Sequence, residues 1–186
     1  MHTLTTARLT LRQWLSRDLE PFAALNADPA VMEFMPALLS REQSAQFIAR
    51  ATADLERRGF GLWAVEERAS GALVGCVGLN VPSFEAPFTP CVEILWRLAA
   101  HSWGRGFATE AARACLELGF GTLGLAEVVA FTVPRNTRSR AVMERLGMRR
   151  DAHGDFAHPR LPPQHPLAHH VLYRLPRAAW RTTGNL

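Results

Sequence analysis

The segment from Leu98 to Arg113 constrains the fold of this chain more than any other part of the sequence. It reads LAAHSWGRGFATEAAR, and it places a strand end, a tight turn containing Gly104 and Gly106, and a helix in direct succession. Apolar residues recur after the turn at helical spacing. A helix N-terminus carries free N–H groups and the positive end of the helix dipole, so it favours anions. The segment therefore predicts a site for a phosphate-bearing ligand.

Hydrophobic periodicity along the rest of the chain predicts a mixed α/β fold with the element order β-α-α-β-β-β-α-β-α-β-β. Strands are expected at 7–14, 60–67, 72–81, 91–98, 127–133, 148–155 and 169–175, and helices at 16–35, 40–58, from 106 to about 119–124, and 138–146. Ser16 is the expected N-cap of the first helix, and Asp28-Pro29 marks a break within it. Ser40 with Gln43 forms a capping box for the second helix. We expect one domain over residues 1–186.

The charge pattern excludes two mechanisms and makes a nucleic-acid partner improbable. All 21 basic residues are arginine, and the formal net charge is +4. Without lysine there is no P-loop and no Schiff-base chemistry. The arginines are scattered, which indicates a solvated surface rather than a nucleic-acid-binding face. No apolar run has the length of a membrane span and the first residues lack a signal sequence, so we expect a cytoplasmic protein without a membrane partner.

The cysteines and histidines offer weaker signals. Cys76, Cys91 and Cys115 lie in apolar surroundings, which favours small core residues, with a nucleophilic thiol as the alternative. Four histidines lie between positions 158 and 170, but the prolines among them exclude the helix that a metal pair at i, i+4 needs. We therefore expect no metal. A pocket for a substrate, lined by His158 together with Glu33 and Phe34, is the alternative for this region.

Three motifs together resemble one protein family. The turn reads Trp103-Gly-Arg-Gly-Phe-Ala-Thr-Glu-Ala, and a second segment runs from Asn136-Thr-Arg-Ser139 to Leu146-Gly-Met. The third is the opening Arg8-Leu-Thr-Leu-Arg, followed by Asp28-Pro-Ala-Val and Ser40-Arg-Glu. In this order they resemble the GNAT superfamily of N-acetyltransferases, and within it the RimJ/RimL branch of ribosomal-protein alanine acetyltransferases. The resemblance covers nearly the whole chain.

This resemblance implies both the fold and the activity. The fold would be a central mixed, mostly antiparallel twisted sheet flanked by helices. The activity would be direct transfer of an acetyl group from the cosubstrate acetyl-CoA to a primary amine, in particular the N-terminal amine of a protein or peptide. Acetylation of a small-molecule amine and a non-catalytic acyl-CoA-binding regulator are the alternatives. We expect a monomer or a homodimer.

The resemblance also implies which residues contact coenzyme A. The turn and the start of its helix would hold the pyrophosphate, through Trp103, Gly104, Arg105, Gly106, Phe107, Ala108 and Thr109. The preceding strand would present its edge to the pantetheine amides, through Trp96, Arg97 and Leu98. Asn136 matches the asparagine that binds the pantetheine arm; alternatively it caps the following helix, a role that Thr137 is also able to fill.

The same resemblance suggests two catalytic residues. Glu93 is the candidate general base, because a carboxylate in an apolar strand is paired or functional; the alternative is an ion pair with Arg97 on the same strand face. Many members of the family carry a tyrosine as general acid where this chain has Met143, which would contact the cofactor but has no proton to donate. Ser139 would contact the cofactor sulfur instead, or else it is a surface hydroxyl on the helix.

Overall fold

The structure is a computed structural model that describes residues 2–180. This part of the chain contains the strands β1 (Leu4–Thr5), β2 (Leu9–Arg12), β3 (Leu62–Glu67), β4 (Leu73–Asn80), β5 (Glu93–Leu98), β6 (Glu127–Thr132), β7 (Arg149–Ala157) and β8 (His169–Pro176). Its α-helices are α1 (Leu19–Ala27), α2 (Arg41–Arg58), α3 (Phe107–Glu117) and α4 (Thr137–Arg145). The predicted element order is confirmed except for the short strand β1, which the sequence analysis missed.

The strands follow the order β1-β2-β3-β4-β5-β6-β8-β7 in one mostly antiparallel sheet. Strands β5 and β6 are parallel, with Glu93 opposite Val129. The other registered neighbours are antiparallel: β1 with β2, β2 with β3, β3 with β4, β6 with β8, and β7 with β8. The predicted fold class, a mixed and mostly antiparallel sheet with helices, is therefore confirmed.

The chain divides into two compact units. The first contains residues 1–80 and 95–115, and the second contains residues 81–94 and the chain from residue 116 onward. Strand β5 contributes its first two residues to the second unit and its last four to the first. The expectation of a single domain over the whole chain stays a prediction.

The first unit is built on an antiparallel meander with a closely packed inner strand. Trp63, Val77 and Leu79 of β3 and β4 are buried completely. Strand β4 also approaches the end of β5, where Ala99 N donates to Val74 O at 2.9 Å. A Cβ on Gly75 would lie 2.2 Å from Arg97 O, so only glycine permits this approach without movement of the backbone.

Helix α2 forms as predicted. The Ser40 hydroxyl accepts from Gln43 N, and the Gln43 side chain accepts from Ser40 N at 2.8 Å. The helix ends at Gly59, whose φ of 74° is the left-handed conformation that terminates many helices.

Helix α1 is shorter than predicted. The residues from Ser16 to Asp18 form a 3₁₀ turn, and α1 ends at Ala27, directly before the predicted break at Asp28-Pro29, without continuing to residue 35. Asp28 precedes a proline and adopts an extended conformation, and its Oδ1 accepts from Ala30 N at 2.9 Å. Ser16 is not the N-cap: it is the first residue of the 3₁₀ turn, which follows Leu15, and α1 follows Asp18. The buried Asp18 carboxylate accepts from Leu15 N at 2.8 Å and so ties the end of the turn back to its start.

The second unit pairs β6 with β8 and β8 with β7, with a core from the apolar residues of β6 and β8. Val128, Val129 and Ala130 are at most 1% exposed. In the antiparallel pair of β6 with β8 they lie opposite Leu175, Arg174 and Tyr173 respectively. Helix α4 begins one residue earlier than predicted and ends before Gly147, whose φ is 82°.

Candidate functional site

The glycine turn joins the end of β5 to helix α3 within the first unit. Gly104 and Gly106 have φ values of 72° and 80°, a region that residues with a Cβ seldom adopt. The Trp103 indole Nε1 donates to Leu98 O at 2.9 Å and thereby ties the turn to the strand end. The structure thus brings the predicted strand edge and the predicted turn together.

Helix α3 begins with amide groups that point out of its first turn. The intrahelical hydrogen bonds begin with Glu110 N, which donates to Gly106 O at 3.0 Å. The N–H groups of Phe107, Ala108 and Thr109 precede that first bond, as in the first turn of any α-helix. They carry the positive end of the helix dipole. No heavy atom lies within 4 Å of the position a Cβ would take on Gly104, so the space beside the turn is open.

Two ion pairs flank this turn. The Arg105 guanidinium pairs with Glu67, and the Arg8 Nη2 lies 2.6 Å from Glu110 Oε2. Both guanidinium groups also lie over the ring of Phe107, at 4.3 Å for Arg105 and 4.8 Å for Arg8. Two guanidinium groups, that of Arg105 in the turn and that of Arg8 beside it, therefore lie next to Phe107, and neighbouring carboxylates partly compensate their charge.

Glu110 also fixes the start of α3 to the N-terminal strands. Its Oε1 accepts from Thr6 Oγ1 at 2.6 Å and from Arg8 N at 2.9 Å. Burial alone raises the pKa of the Glu110 carboxyl, but the hydrogen bonds from Thr6 and Arg8 outweigh it, and the pKa lies below its ordinary value. Sequence analysis missed this contact because the partners are more than a hundred residues apart.

The side chain of Arg97 does not form the ion pair with Glu93 that the sequence analysis considered as an alternative to a catalytic Glu93. Its Nη1 donates to Asn26 Oδ1 at 2.7 Å, and its Cζ lies 5.4 Å from the ring centroid of Phe47. Its Nη2 approaches Met35 Sδ at 3.7 Å. The expected partner was Glu93, but the ion pairs found within residues 2–180 do not include Arg97. Burial lowers the pKa of this guanidinium below its ordinary value.

Glu93 opens β5 in the second unit and is only 8% exposed, as expected for a carboxylate in an apolar strand. It lies opposite Val129 in the parallel pair of β5 with β6. Its charge contributes to the environment of Cys91, whose pKa rises to about 11, first through burial and then through the negative charge of Glu93. Cys91 is half-buried, whereas Cys76 and Cys115 are completely buried as predicted.

In the second unit, the side chain of Asn136 caps the N-terminus of α4. Asn136 Oδ1 accepts from Ser139 N at 3.1 Å, and its Nδ2 donates to Thr132 Oγ1 at 3.0 Å. Asn136 is thus the N-cap of α4, and Thr137 is the first residue of the helix rather than its cap. Ser139 lies in the first turn, half-buried. Met143 is 2% exposed and belongs to the core of this unit.

The residues suggested for a substrate pocket fall into both units. Glu33 and Phe34 belong to the turns that follow α1 in the first unit, with Glu33 exposed and Phe34 half-buried. His158 belongs to the second unit, where its ring centroid lies 4.8 Å from that of Phe84 and 5.1 Å from that of His170. Burial lowers the pKa of both histidines, which favours their neutral forms.

Neither a metal centre nor a membrane span is found in the described part of the chain. Residues 2–180 contain no group of three or more histidine, cysteine or acidic side chains arranged to hold a metal ion. No helix among them is long and apolar enough to cross a bilayer.

Comparison with known proteins identifies the family. A family model described as an acetyltransferase (GNAT) domain matches residues 8–149. The chain is 32% identical over 146 residues to the Bacillus subtilis protein YkkB, covering 78% of this chain and 84% of that protein. It is 34% identical over 155 residues to FsC-acetyl coenzyme A-N(2)-transacetylase of Aspergillus fumigatus, covering 78% and 64% respectively.

A solved structure supports the same assignment. The acetyltransferase (GNAT family) from Bacillus anthracis matches with a TM-score of 0.78 and 25% identity, covering 95% of this chain and 99% of that one. The chain therefore belongs to the GNAT acetyltransferase family, and it is an acyltransferase. The glycine turn, α3 and the start of α4 all lie inside the matched residues.

Proposed function

We propose that this acetyltransferase moves the acetyl group of acetyl-CoA directly to the N-terminal amine of a protein or peptide, as a member of the RimJ/RimL-like branch. The observation that carries the proposal is the geometry at α3, where two glycines with positive φ lead into a helix start beside open space. Such a helix start binds a phosphate group through backbone N–H groups and the helix dipole.

Coenzyme A fits the chemistry of this turn. Its pyrophosphate carries negative charge and several acceptor oxygens, which match the N–H groups of Phe107, Ala108 and Thr109. A P-loop would add a lysine, but this chain has none, and backbone donors suffice for the binding that we propose. Arg105 is positioned to add a charged donor once its pairing with Glu67 is exchanged for the phosphate.

Acetyl-pantetheine tests this assignment, because it carries the same thioester and lacks the pyrophosphate. We expect calorimetry to show at least about a hundred-fold weaker binding of acetyl-pantetheine than of acetyl-CoA. Equal affinity for the two thioesters would contradict a pyrophosphate site at α3.

We propose Glu93 as the general base. The carboxylate takes the proton of the acceptor ammonium, and the neutral amine attacks the thioester carbonyl. The carbon–sulfur bond breaks as the amide forms, and the departing thiolate takes up the proton that the nitrogen loses, so coenzyme A leaves as the thiol. Burial in an apolar strand supports this role, since a carboxylate in such a place is paired or functional. Backbone N–H groups of residues 96–98 are the proposed donors to the oxyanion.

A substitution separates this role from a structural one. Glu93→Gln should lower kcat by a factor of about 10² or more while acetyl-CoA still binds, because general-base catalysis contributes on that order. The matched control is Glu56→Gln, which removes a carboxylate from the exposed surface of α2. An unchanged kcat in Glu93→Gln would assign the base to another group or to water.

Ser139 is the proposed hydrogen-bond partner of the leaving sulfur. The Asn136 cap fixes its backbone in the first turn of α4, and Met143 supplies no proton. Ser139→Ala should lower kcat by only about three- to ten-fold, since one neutral hydrogen bond is lost. Ser139→Thr should retain most activity, and a loss as large in Ser139→Thr as in Ser139→Ala would exclude the hydroxyl as the active group.

Measuring the release of coenzyme A thiol with each of a panel of amines identifies the class of acceptor. N-terminal peptides should be turned over faster than polyamines, free amino acids or aminoglycosides. The relative from Aspergillus fumigatus, named for transfer to an N(2) position, favours a small-molecule amine as the second candidate. Binding of acetyl-CoA without thiol release on any amine would identify a non-catalytic acyl-CoA-binding protein.

A further inference from the structure

Arg97 differs from two other half-buried arginines of the described chain, Arg12 and Arg174, in having no carboxylate partner. Arg12 pairs with Asp18 and Glu66, each at 2.7 Å, and Arg174 pairs with Glu127 and Asp151, each at 2.7 Å. The Arg97 guanidinium contacts an amide oxygen, a thioether and an aromatic ring. Within residues 2–180 it forms no ion pair with a carboxylate. Charges removed from water are normally paired, so this group lacks its expected counterion.

The surroundings hold this guanidinium in one orientation. Asn26 is completely buried, and both polar atoms of its side-chain amide form hydrogen bonds. Oδ1 accepts from Arg97 Nη1, and Nδ2 donates to the buried Ser44 Oγ at 3.1 Å. The Phe47 ring adds a cation–π contact. A relay from Ser44 through Asn26 therefore fixes the cation in advance of any ligand.

The remaining contact of Arg97 is a replaceable one. Met35 Sδ lies 3.7 Å from Nη2, and a thioether sulfur is a weak acceptor on a flexible side chain. Met35 is 37% exposed, so the guanidinium is reached from solvent by displacing this side chain. A carboxylate oxygen in the place of the sulfur would supply both a stronger acceptor and the missing negative charge.

We propose that Arg97 is a specificity-determining residue that binds a carboxylate of the amine acceptor. This proposal rests on acetyl transfer as the function. The acceptor would carry its carboxylate either as a free amino acid does or as an acidic side chain near a peptide N-terminus. None of the contacts of Arg97 belongs to the glycine turn, which favours the acceptor over coenzyme A as the source of the anion.

The experiment compares acceptors that differ only in the carboxylate. Alanine is paired with alaninamide, and the peptide Ala-Asp-Ala-amide is paired with Ala-Asn-Ala-amide. In each assay we measure kcat/KM from thiol release and the dissociation constant by calorimetry. The native enzyme should prefer the carboxylate member of at least one pair by about ten-fold or more, mostly in KM. The pair that shows the preference identifies the source of the carboxylate.

Two substitutions assign that preference to Arg97. Arg97→Gln should reduce the ratio of kcat/KM for the acid and the amide to near unity, and Arg97→Lys should retain part of it, because lysine keeps the charge without the planar fork. Arg50→Gln removes the same charge from the exposed surface of α2 and should leave the ratio intact. Ser44→Ala, which frees Asn26, should lower the ratio only in part.

The outcomes separate the two proposals. A native enzyme that treats acid and amide alike in both pairs, or an Arg97→Gln variant that keeps the native ratio, would overturn the carboxylate site. A third outcome separates the carboxylate site from the enzymatic function: no amine is acetylated, but alanine or the acidic peptide binds at least about ten-fold more tightly than its amide. If Arg97→Gln abolishes that difference, acetyl transfer is wrong as the function and the carboxylate site is supported. Equal binding of all members without turnover would overturn both.

Discussion

Two pairs of glycines in the first unit occupy opposite environments. Gly75 and Gly78 lie in strand β4, where a Cβ would stand 2.2 Å from Arg97 O and 1.9 Å from Gly61 O. Gly104 and Gly106 lie in the turn before α3, where a Cβ would meet nothing within 4 Å in one case and only the tip of Arg8 at 3.4 Å in the other. The first pair is required by neighbouring backbone, although Gly75 also has a positive φ of 144°, and the second pair is required by φ alone.

The difference separates packing from binding. Glycines that face other backbone serve the sheet, because any side chain would push strands apart. Glycines in the left-handed region that face open space position backbone N–H groups for something outside the chain. The two pairs should therefore respond differently to alanine, the first in stability and the second in affinity for acetyl-CoA.

The largest effect is expected for Gly78→Ala. The added methyl group overlaps with the backbone of Gly61, so we expect the free energy of unfolding to fall by about 3 kcal/mol. Urea denaturation followed by circular dichroism measures the change. Gly71→Ala is the control, since Gly71 has a φ of 70° and open space, and alanine there should cost only about 1–2 kcal/mol. An equal loss of unfolding free energy in the two variants would contradict the proposal that neighbouring backbone is what requires glycine at position 78.

Gly106→Ala should affect binding more than stability. Alanine in the left-handed region costs about 1–2 kcal/mol of folding free energy, and relief of that strain would rotate the amides at the start of α3. We expect the dissociation constant of acetyl-CoA to rise by at least about ten-fold, as measured by calorimetry. Gly59→Ala serves as control, because it carries the same kind of strain at the end of α2 rather than in the glycine turn. Native affinity in Gly106→Ala would exclude this helix start as the phosphate site.

Gly104→Ala should have a smaller effect on the same affinity. Gly104 has a similar φ but lies three residues before the first residue of α3, so strain there is less able to disturb the first-turn amides. We expect acetyl-CoA to bind about five-fold more weakly, which corresponds to about 1 kcal/mol. An effect larger than that of Gly106→Ala would move the centre of the phosphate site toward the start of the turn.

The smallest change distinguishes backbone from side-chain contributions in the turn. Glu67→Gln removes the partner of Arg105 and should tighten acetyl-CoA binding by about two- to three-fold, because an exposed guanidinium is screened by salt. Arg105→Gln should weaken binding by a similar factor, and both effects should shrink at 0.5 M salt. A loss with Arg105→Gln as large as that with Gly106→Ala would make the arginine, rather than the glycine backbone, the main phosphate ligand.

Local chemistry made much of this fold predictable. The capping box at Ser40, the stop at Gly59 and the glycine turn each depend on residues a few positions apart. The break at Asp28-Pro29 was predictable in the same way, and α1 ends there, but the helix expected beyond it to residue 35 does not form.

The candidate site was predictable only in its local parts. The Asn136 cap spans three residues and was among the alternatives considered from the sequence. The partners of Arg97 are different, because Asn26 is 71 positions away and Met35 is 62 positions away. No spacing rule links them; only the sheet and the helices against it bring these side chains together.

This enzyme has few side chains that react with acetyl-CoA without catalysis. Acetyl thioesters modify lysine amines and cysteine thiolates without catalysis, yet the sequence contains no lysine. Cys76 and Cys115 are completely buried, and burial raises the pKa of both thiols, to about 11 for Cys76. Both therefore stay protonated at neutral pH and out of contact with solvent. The chain is suited to prolonged exposure to concentrated acetyl-CoA without accumulating acetyl groups on its own side chains.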